Sequence, residues 1–439
     1  MRRAALLLLP ALLACEPSST GAPASSAPPV ATPPAPSAAT SPTPSAATED
    51  SAMASPEDAV AANTRFGLAL YQRVAQDGGN ATISPASLSL ALSMTAAGAR
   101  GETATQMRTT LGYPAKLPLG TDIDGAWASI LNRWKAVAEP TELAVANRLF
   151  GEKSYTFEAD FLRLTDTRYG APVERLDFIG APEAQRATIN AWVEERTKTR
   201  IDNLLPPRSI TDETRLVLVN ALYFKAVWQD LFMDAGTKDE PFYVGGKTAV
   251  PLPTMRGGAY RNHFAGEGMA LVELPYRGGE FSMVLLVPDD RAGLRDLEQK
   301  LSPELLDRAL SGATPQLVDL SLPRFLVDPP EPIDVASHLK AMGMTLAFDR
   351  VRADFSGMSK PPSPDDRLYI GNVFHKTFVA VDEKGTEAAA ATAVVMPRGG
   401  AKPAEPKRVV CDHPFLFLIR DRKSGALLFI GRVDDPRGK

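Results

Sequence analysis

Between Glu16 and Ser55 the chain carries almost no large apolar side chain, whereas from Pro56 onward apolar residues recur to the end without a second break. This division constrains the fold more than any other feature. A tract of Pro, Ala, Ser and Thr cannot bury enough surface to repay the entropy of ordering. Its prolines favour extended polyproline II, which makes a semi-rigid spacer. The folded part is therefore residues 56–439. No linker or internal repeat divides it, so one large domain is expected, although 439 residues would allow two or three.

Periodicity within that domain changes along its length. Phe66, Leu68, Leu70 and Val74 open a helical stripe that Gly78-Gly79-Asn80 breaks. Ser84-Pro85 starts a long apolar helix through Ala97, with Pro85 in the favoured first turn. Glu102–Leu111 and Asn190–Thr199 read as further helices. Strand-like runs follow at Leu216–Phe224, Met269–Leu274, Ser282–Val287, Val318–Leu322, Leu368–Val373, Phe378–Val381, Phe415–Ile419 and Leu427–Val433. Helices early and strands late, without regular βα alternation, predict an α+β fold rather than a doubly wound parallel sheet.

The N-terminus reads as a targeting segment. Arg2 and Arg3 precede an apolar stretch from Ala4 to Ala14, too short to span a bilayer and suited to a signal peptide, residues 1–14. The ending Leu12-Leu13-Ala14-Cys15 resembles the lipobox of bacterial lipoproteins. It implies cleavage before Cys15, lipidation of that thiol, and residues 15–55 as a tether holding the 56–439 domain at a membrane. The expected location is therefore that of an exported, membrane-anchored lipoprotein facing the periplasm or the cell surface. With Cys15 lipidated, Cys411 is left alone, so no internal disulfide is expected; it reads as a buried, inert thiol.

A formal net charge of −4 and the lack of a dense basic patch give no reason to expect nucleic acid as a partner. The four histidines, His263, His338, His375 and His413, fall at no metal-ligand spacing, and no cofactor motif occurs. One catalytic alternative arises. Ser337-His338-Leu339-Lys340 fits Ser-x-x-Lys, and Lys423-Ser424-Gly425 approaches the Lys-Thr-Gly box of penicillin-recognising hydrolases. The third element of that set is missing between them, and a helix surface with a hairpin turn accounts for both.

The segment Asp382-Glu383-Lys384-Gly385-Thr386-Glu387-Ala388-Ala389-Ala390-Ala391-Thr392-Ala393-Val394-Val395 resembles the reactive-loop hinge of inhibitory serpins. The resemblance extends over the domain: Ser84, Pro85 and Ser87 in Asn80–Leu111; Leu218–Lys225 followed by Trp228; Glu273–Tyr276 with Val287-Pro288; and His413-Pro414-Phe415 within Val409–Ile419. It implies the serpin fold, with three β-sheets, eight or nine helices and an exposed reactive loop. It further implies a monomeric inhibitor of serine proteases without catalytic groups or cofactor. In the family, positions matching Ser84, Ser87, Asn220 and His375 form a polar cluster gating the sheet, and Trp228 matches the tryptophan at its upper opening.

The hinge residues read independently in the same direction. From Thr386 to Val395 there is no proline and no bulky side chain, and Glu387 is the sole charge. Alternation across a strand places Thr386, Ala388, Ala390, Thr392 and Val394 on one face and Glu387, Ala389, Ala391 and Ala393 on the other. Pro397 cannot occupy a central strand, so insertion should stop near Met396. The same alanines would also suit a helix. A new central strand of about ten residues gains on the order of 15–20 backbone hydrogen bonds at roughly 1 kcal/mol each. The family count of seventeen residues from Glu383 places the scissile position at Gly399, before Gly400, suiting elastase- or subtilisin-like proteases. A register one shorter places it at Arg398, suiting trypsin-like ones, and side-chain chemistry favours Arg398. The segment Gly399–Lys407 is longer than is common in the family. A non-inhibitory serpin with a binding or storage role is the alternative reading.

Overall fold

The computed structural model describes residues 54–115, 117, 122–360, 363, 366–387 and 405–438, all within the compact unit Ser51–Lys439. Among these, nine α-helices and three sheets form an α+β architecture. The helix Pro56–Val74 starts in a capping box between Ser55 and Asp58. The helix Pro85–Ala97 begins at Ser84, whose hydroxyl accepts from the Ser87 N–H, with Pro85 at the first helical position. Every residue from Pro85 to Thr95 is buried. That helix is apolar all round because it runs through the core, packed on Pro56–Val74 and on the strands Leu216–Val227 and Leu427–Val433.

The nine-stranded sheet is built on Thr248–Gly266, which pairs with Lys238–Val244, Met269–Pro275 and Thr314–Pro323. It continues through Phe281–Pro288, Phe415–Asp421 and Leu427–Val433 to Ala81–Ile83. All residues of Phe281–Pro288 and Leu427–Val433 are buried, which explains their unbroken apolar runs. Lys407–Val410 lies parallel to Thr314–Pro323 at the other edge.

The six-stranded sheet runs, in spatial order, Phe325–Val327, Val379–Val381, Gly385–Thr386, Leu216–Val227, Glu142–Glu152 and Val173–Leu176. Only the last pair is parallel. Above one face lies the helix Pro182–Arg196. Its Ile189 and Val193 join Phe150, Ile201, Leu204, Leu205, Val219 and Ala221 in a small apolar cluster separate from the main core.

Two elements differ from the sequence-based expectation. The helix expected over Asn190–Thr199 starts at Pro182 and ends at Arg196, because Lys198 and Thr199 adopt left-handed φ of 52° and 62°. Leu368–Val373 forms no ladder. Its Leu368, Ile370 and Val373 are buried against the core, and that burial, not pairing, produces the alternation. Strand structure begins only at Phe374–His375, paired with Ile333–Asp334.

Candidate functional site: the mouth of the six-stranded sheet

After Val379–Val381 the chain turns back on itself within three residues. The Asp382 carboxylate accepts from the N–H groups of Lys384 (2.8 Å) and Gly385 (3.2 Å), an Asx-type turn. Gly385 and Thr386 then enter the sheet, pairing with Val227 and Ala226 on one side; Thr386 also pairs with Val381. A Cβ on Gly385 would sit 2.0 Å from the Ala226 carbonyl oxygen, so only glycine allows the strands to approach this closely.

Glu383, Thr386 and Glu387 each have their own socket. Glu383 is buried, and its carboxylate takes a 2.7 Å ion pair from Arg324 and a hydrogen bond from the Thr237 hydroxyl. Burial pushes its pKa up, but Arg324 and Thr237 outweigh that and hold it below the ordinary glutamate value. Thr386 is buried on the core face, its hydroxyl 2.6 Å from that of Tyr276. Tyr276 stacks on Trp228 with ring centroids 4.6 Å apart and planes 10° apart. Trp228 closes the turn: its indole N–H donates to the Asp382 carbonyl (2.9 Å) and its backbone N–H to that of Lys384 (2.8 Å). Glu387 falls on the opposite side, where its carboxylate meets the Arg200 guanidinium.

Beneath the same sheet, His375 is buried and its Nε2 accepts from the Ser84 N–H at 2.9 Å. Burial lowers its pKa to about 4, so the ring is neutral. Ser87 joins this pair through the Ser84 cap. Asn220 stands in the central strand opposite Asn147. Of the expected cluster, Ser84, Ser87 and His375 thus come together, and Trp228 meets the start of the hinge.

Other expected positions lie outside the described residues: Ala388, Ala389, Ala390, Ala391, Arg398, Gly399, Gly400 and Cys15. Cys411 is buried, with burial raising its thiol pKa, and sits just past the strand Lys407–Val410. Ser337 and Lys340 are exposed on the helix Val335–Ala341, and Lys423–Gly425 is a hairpin turn gathered around Asp421. Sequence reading missed Tyr276, Arg324, Thr237 and Arg200 as partners of the hinge. The Asp-x-x-Gly spacing of the turn was a usable signal; nothing local pointed to Arg200, which lies 187 residues from Glu387.

The arrangement defines a class of protein: one whose six-stranded sheet is entered between two long-range partners by Gly385 and Thr386 alone among the described residues. Comparison with known proteins agrees. The family model described as Serpin (serine protease inhibitor) matches residues 61–436. The leukocyte elastase inhibitor of Bos taurus is 39% identical over 392 residues, covering 85% of this chain and 98% of its own. Serpin B6 of Macaca fascicularis is 40% identical over 380 residues, with the same coverage. The solved structure of human thyroxine-binding globulin superposes with a TM-score of 0.77 at 28% identity, covering 88% of this chain and 100% of its own. The chain belongs to the serpin family and has the serpin fold.

Proposed function

We propose that this serpin is an inhibitor that traps a serine protease as a covalent acyl-enzyme. The protease serine attacks the reactive bond, after Arg398 or Gly399. The scissile carbonyl carbon becomes esterified to the serine oxygen, and the new amine leaves with the C-terminal fragment. The freed hinge then enters the six-stranded sheet and carries the protease with it, distorting the oxyanion hole so that water cannot complete deacylation. The inhibitor contributes stored free energy rather than a catalytic group.

One observation carries this reading: Gly385 and Thr386 are already paired into the centre of the sheet, while among the described residues Leu216–Lys225 has no ladder partner on that side. Extending the Thr386–Ala226 register brings residues 387–396 opposite Lys225 back to Leu216, the first residue of the strand. The proline-free segment therefore ends where the strand does, at Met396. Relatives named as a leukocyte elastase inhibitor and an antithrombin support serine proteases as the target class. A trypsin-like target follows if the bond after Arg398 is cut, and an elastase- or subtilisin-like one if the bond after Gly399 is cut.

Incubating the domain with trypsin, elastase and subtilisin tests this. An SDS-resistant complex supports inhibition, clean cleavage without a complex refutes it, and the mass of the released peptide fixes the bond. The N-terminal sequence supports a lipoprotein, with residues 1–14 removed, Cys15 lipidated and 15–55 as the tether to a membrane. Release of Cys15→Ser into the soluble fraction, against retention of wild type, tests that part.

A further inference from the structure

The end of the helix Pro56–Val74, the helix Leu294–Lys300, the turn at residues 245–247 and the end of the strand Leu427–Val433 line a cleft of about 730 Å³. That strand belongs to the nine-stranded sheet, not to the sheet the hinge enters. Arg432, next to last in the strand, is buried, and its guanidinium is held twice. Nε donates to the Gly79 carbonyl, and Nη1 donates to both Glu298 carboxylate oxygens at 3.2 Å. Glu298 accepts again from the Tyr71 hydroxyl at 2.7 Å. Nη2 meets no acceptor among the described residues. A guanidinium is planar, so Nη2 falls between those two contacts, and Gly79 and Glu298 both line the cleft. A buried cationic N–H without an acceptor is costly, and a ligand oxygen in the cleft removes that cost.

Two further cations line the cleft from other elements. Arg295 lies three residues before Glu298 on the helix Leu294–Lys300, on the same face. Lys247 comes from the turn, which presses on the start of the next segment: a Cβ on Gly246 would stand 2.6 Å from the Arg291 carbonyl oxygen. Both side chains are exposed and neither has an ion pair among the described residues, whereas Arg291 is held by Asp412 at 2.9 Å. One carboxylate without an ion pair also lines the cleft. Asp434 is half-buried, and only its backbone N–H is taken, by the Asn80 side chain at 2.7 Å. The rest of the wall includes Ala75, Ala292, Leu294 and Pro414.

We propose that this cleft binds a phosphate ester of a small polyol: the phosphate oxygens accept from Arg432 Nη2, Arg295 and Lys247, and a hydroxyl of the polyol donates to Asp434. A tetrahedral phosphate takes donors from several directions, as cations from a strand, a helix and a turn require, and charge-assisted bonds of this kind are the strong ones. Asp434 sets the selectivity. It repels a bare anion, whereas a hydroxyl beside the phosphate turns that repulsion into a hydrogen bond. A soluble ester and the phosphoglycerol headgroup of a lipid carry the same two groups. The assignment is independent of the inhibitory reading.

Calorimetric titration of the full chain carrying Cys15→Ser with glycerol phosphate, inorganic phosphate and glycerol tests this. The ester should bind about fivefold tighter than inorganic phosphate, the worth of one hydrogen bond, and glycerol alone should not bind. Arg295→Gln and Lys247→Gln change exposed side chains and leave the buried pair intact; each should weaken the ester about three- to tenfold. Arg432→Gln combined with Glu298→Gln, which strands no charge, should weaken it about tenfold or more. Asp434→Ala should abolish the preference for the ester over inorganic phosphate. Cosedimentation with phosphatidylglycerol but not phosphatidylcholine vesicles, lost in Arg295→Gln and Lys247→Gln, identifies the lipid as the source; ester binding without cosedimentation identifies the soluble one. No binding of either phosphate at about 10 mM, ester affinity unchanged in both Arg295→Gln and Lys247→Gln, or a preference that survives Asp434→Ala would overturn the site.

Discussion

Thr386→Arg puts the proposed mechanism under the hardest strain. Thr386 is 2% exposed and its hydroxyl is bonded to Tyr276, itself buried and stacked on Trp228. An arginine entering here would bring a guanidinium into the core face with no carboxylate to meet it, since the Glu383 carboxylate is occupied by Arg324. Losing the Tyr276 hydrogen bond costs about 1 kcal/mol, and burying an unpaired charge adds several more even after relaxation. A conservative total of about 3 kcal/mol expels the arginine from the socket that Thr386 occupies in the intact protein and is met on re-entry after cleavage, which slows insertion roughly 100-fold. Deacylation by the protease is untouched, so cleaved inhibitor should be released before the trap closes. Titrating protease activity against inhibitor gives the readout. The stoichiometry is one plus the ratio of deacylation to insertion rates, so a wild type that titrates at about 1.1 molecules per enzyme should become a Thr386→Arg variant that needs about 11, with cleaved monomer replacing most of the SDS-resistant band. Unchanged stoichiometry would mean that Thr386 does not pass through this socket, and the insertion argument would fail with it.

Three further outcomes are expected. Gly385→Ala should expose the Trp228 amide, now bonded to the Lys384 carbonyl, to hydrogen exchange, because a Cβ cannot stand 2.0 Å from the Ala226 oxygen; unchanged protection would refute the close approach. His375, lowered by burial to about 4, should make the domain lose stability as pH falls from about 6.5 to about 4. Over that window the unfolded chain takes up a proton that the native ring refuses, an effect of about 3 kcal/mol that is absent above the unfolded pKa. Urea midpoints against pH check this, and His375→Gln should flatten the slope. Arg324→Ala should destabilise by about 2 kcal/mol, more than Glu383→Gln does, because it strands a buried carboxylate whereas the arginine is half exposed; thermal unfolding of the two variants decides the order.

How much of this was legible in the sequence depends on the distance over which each contact is made. Helix starts were readable because Ser84 and Pro85 announce one locally, and strands such as Phe281–Pro288 were readable because burial on both faces leaves an unbroken apolar run. Glu142–Glu152 escaped notice because arginine, asparagine and glycine interrupt its pattern, yet it pairs with nearly the whole central strand. Leu368–Val373 misled for the opposite reason, since alternation records burial and not hydrogen bonding. At the hinge, small side chains advertised the capacity to become a strand. The sockets that receive them were invisible, because Tyr276, Arg324 and Arg200 come from three separated segments and only the fold brings them to one place.

Those sockets divide the work by the two-residue period of the strand. Glu383 anchors the turn through Arg324 before the strand begins, Thr386 seats itself on Tyr276 at the core face, and Glu387 is caught by Arg200 on the other. The anchor and the seat favour insertion. A loop without these contacts would form its first ladder pairs against the full cost of ordering its backbone. With those pairs already made, initiation is complete before any bond is cut, so the proposed trap can close quickly afterwards.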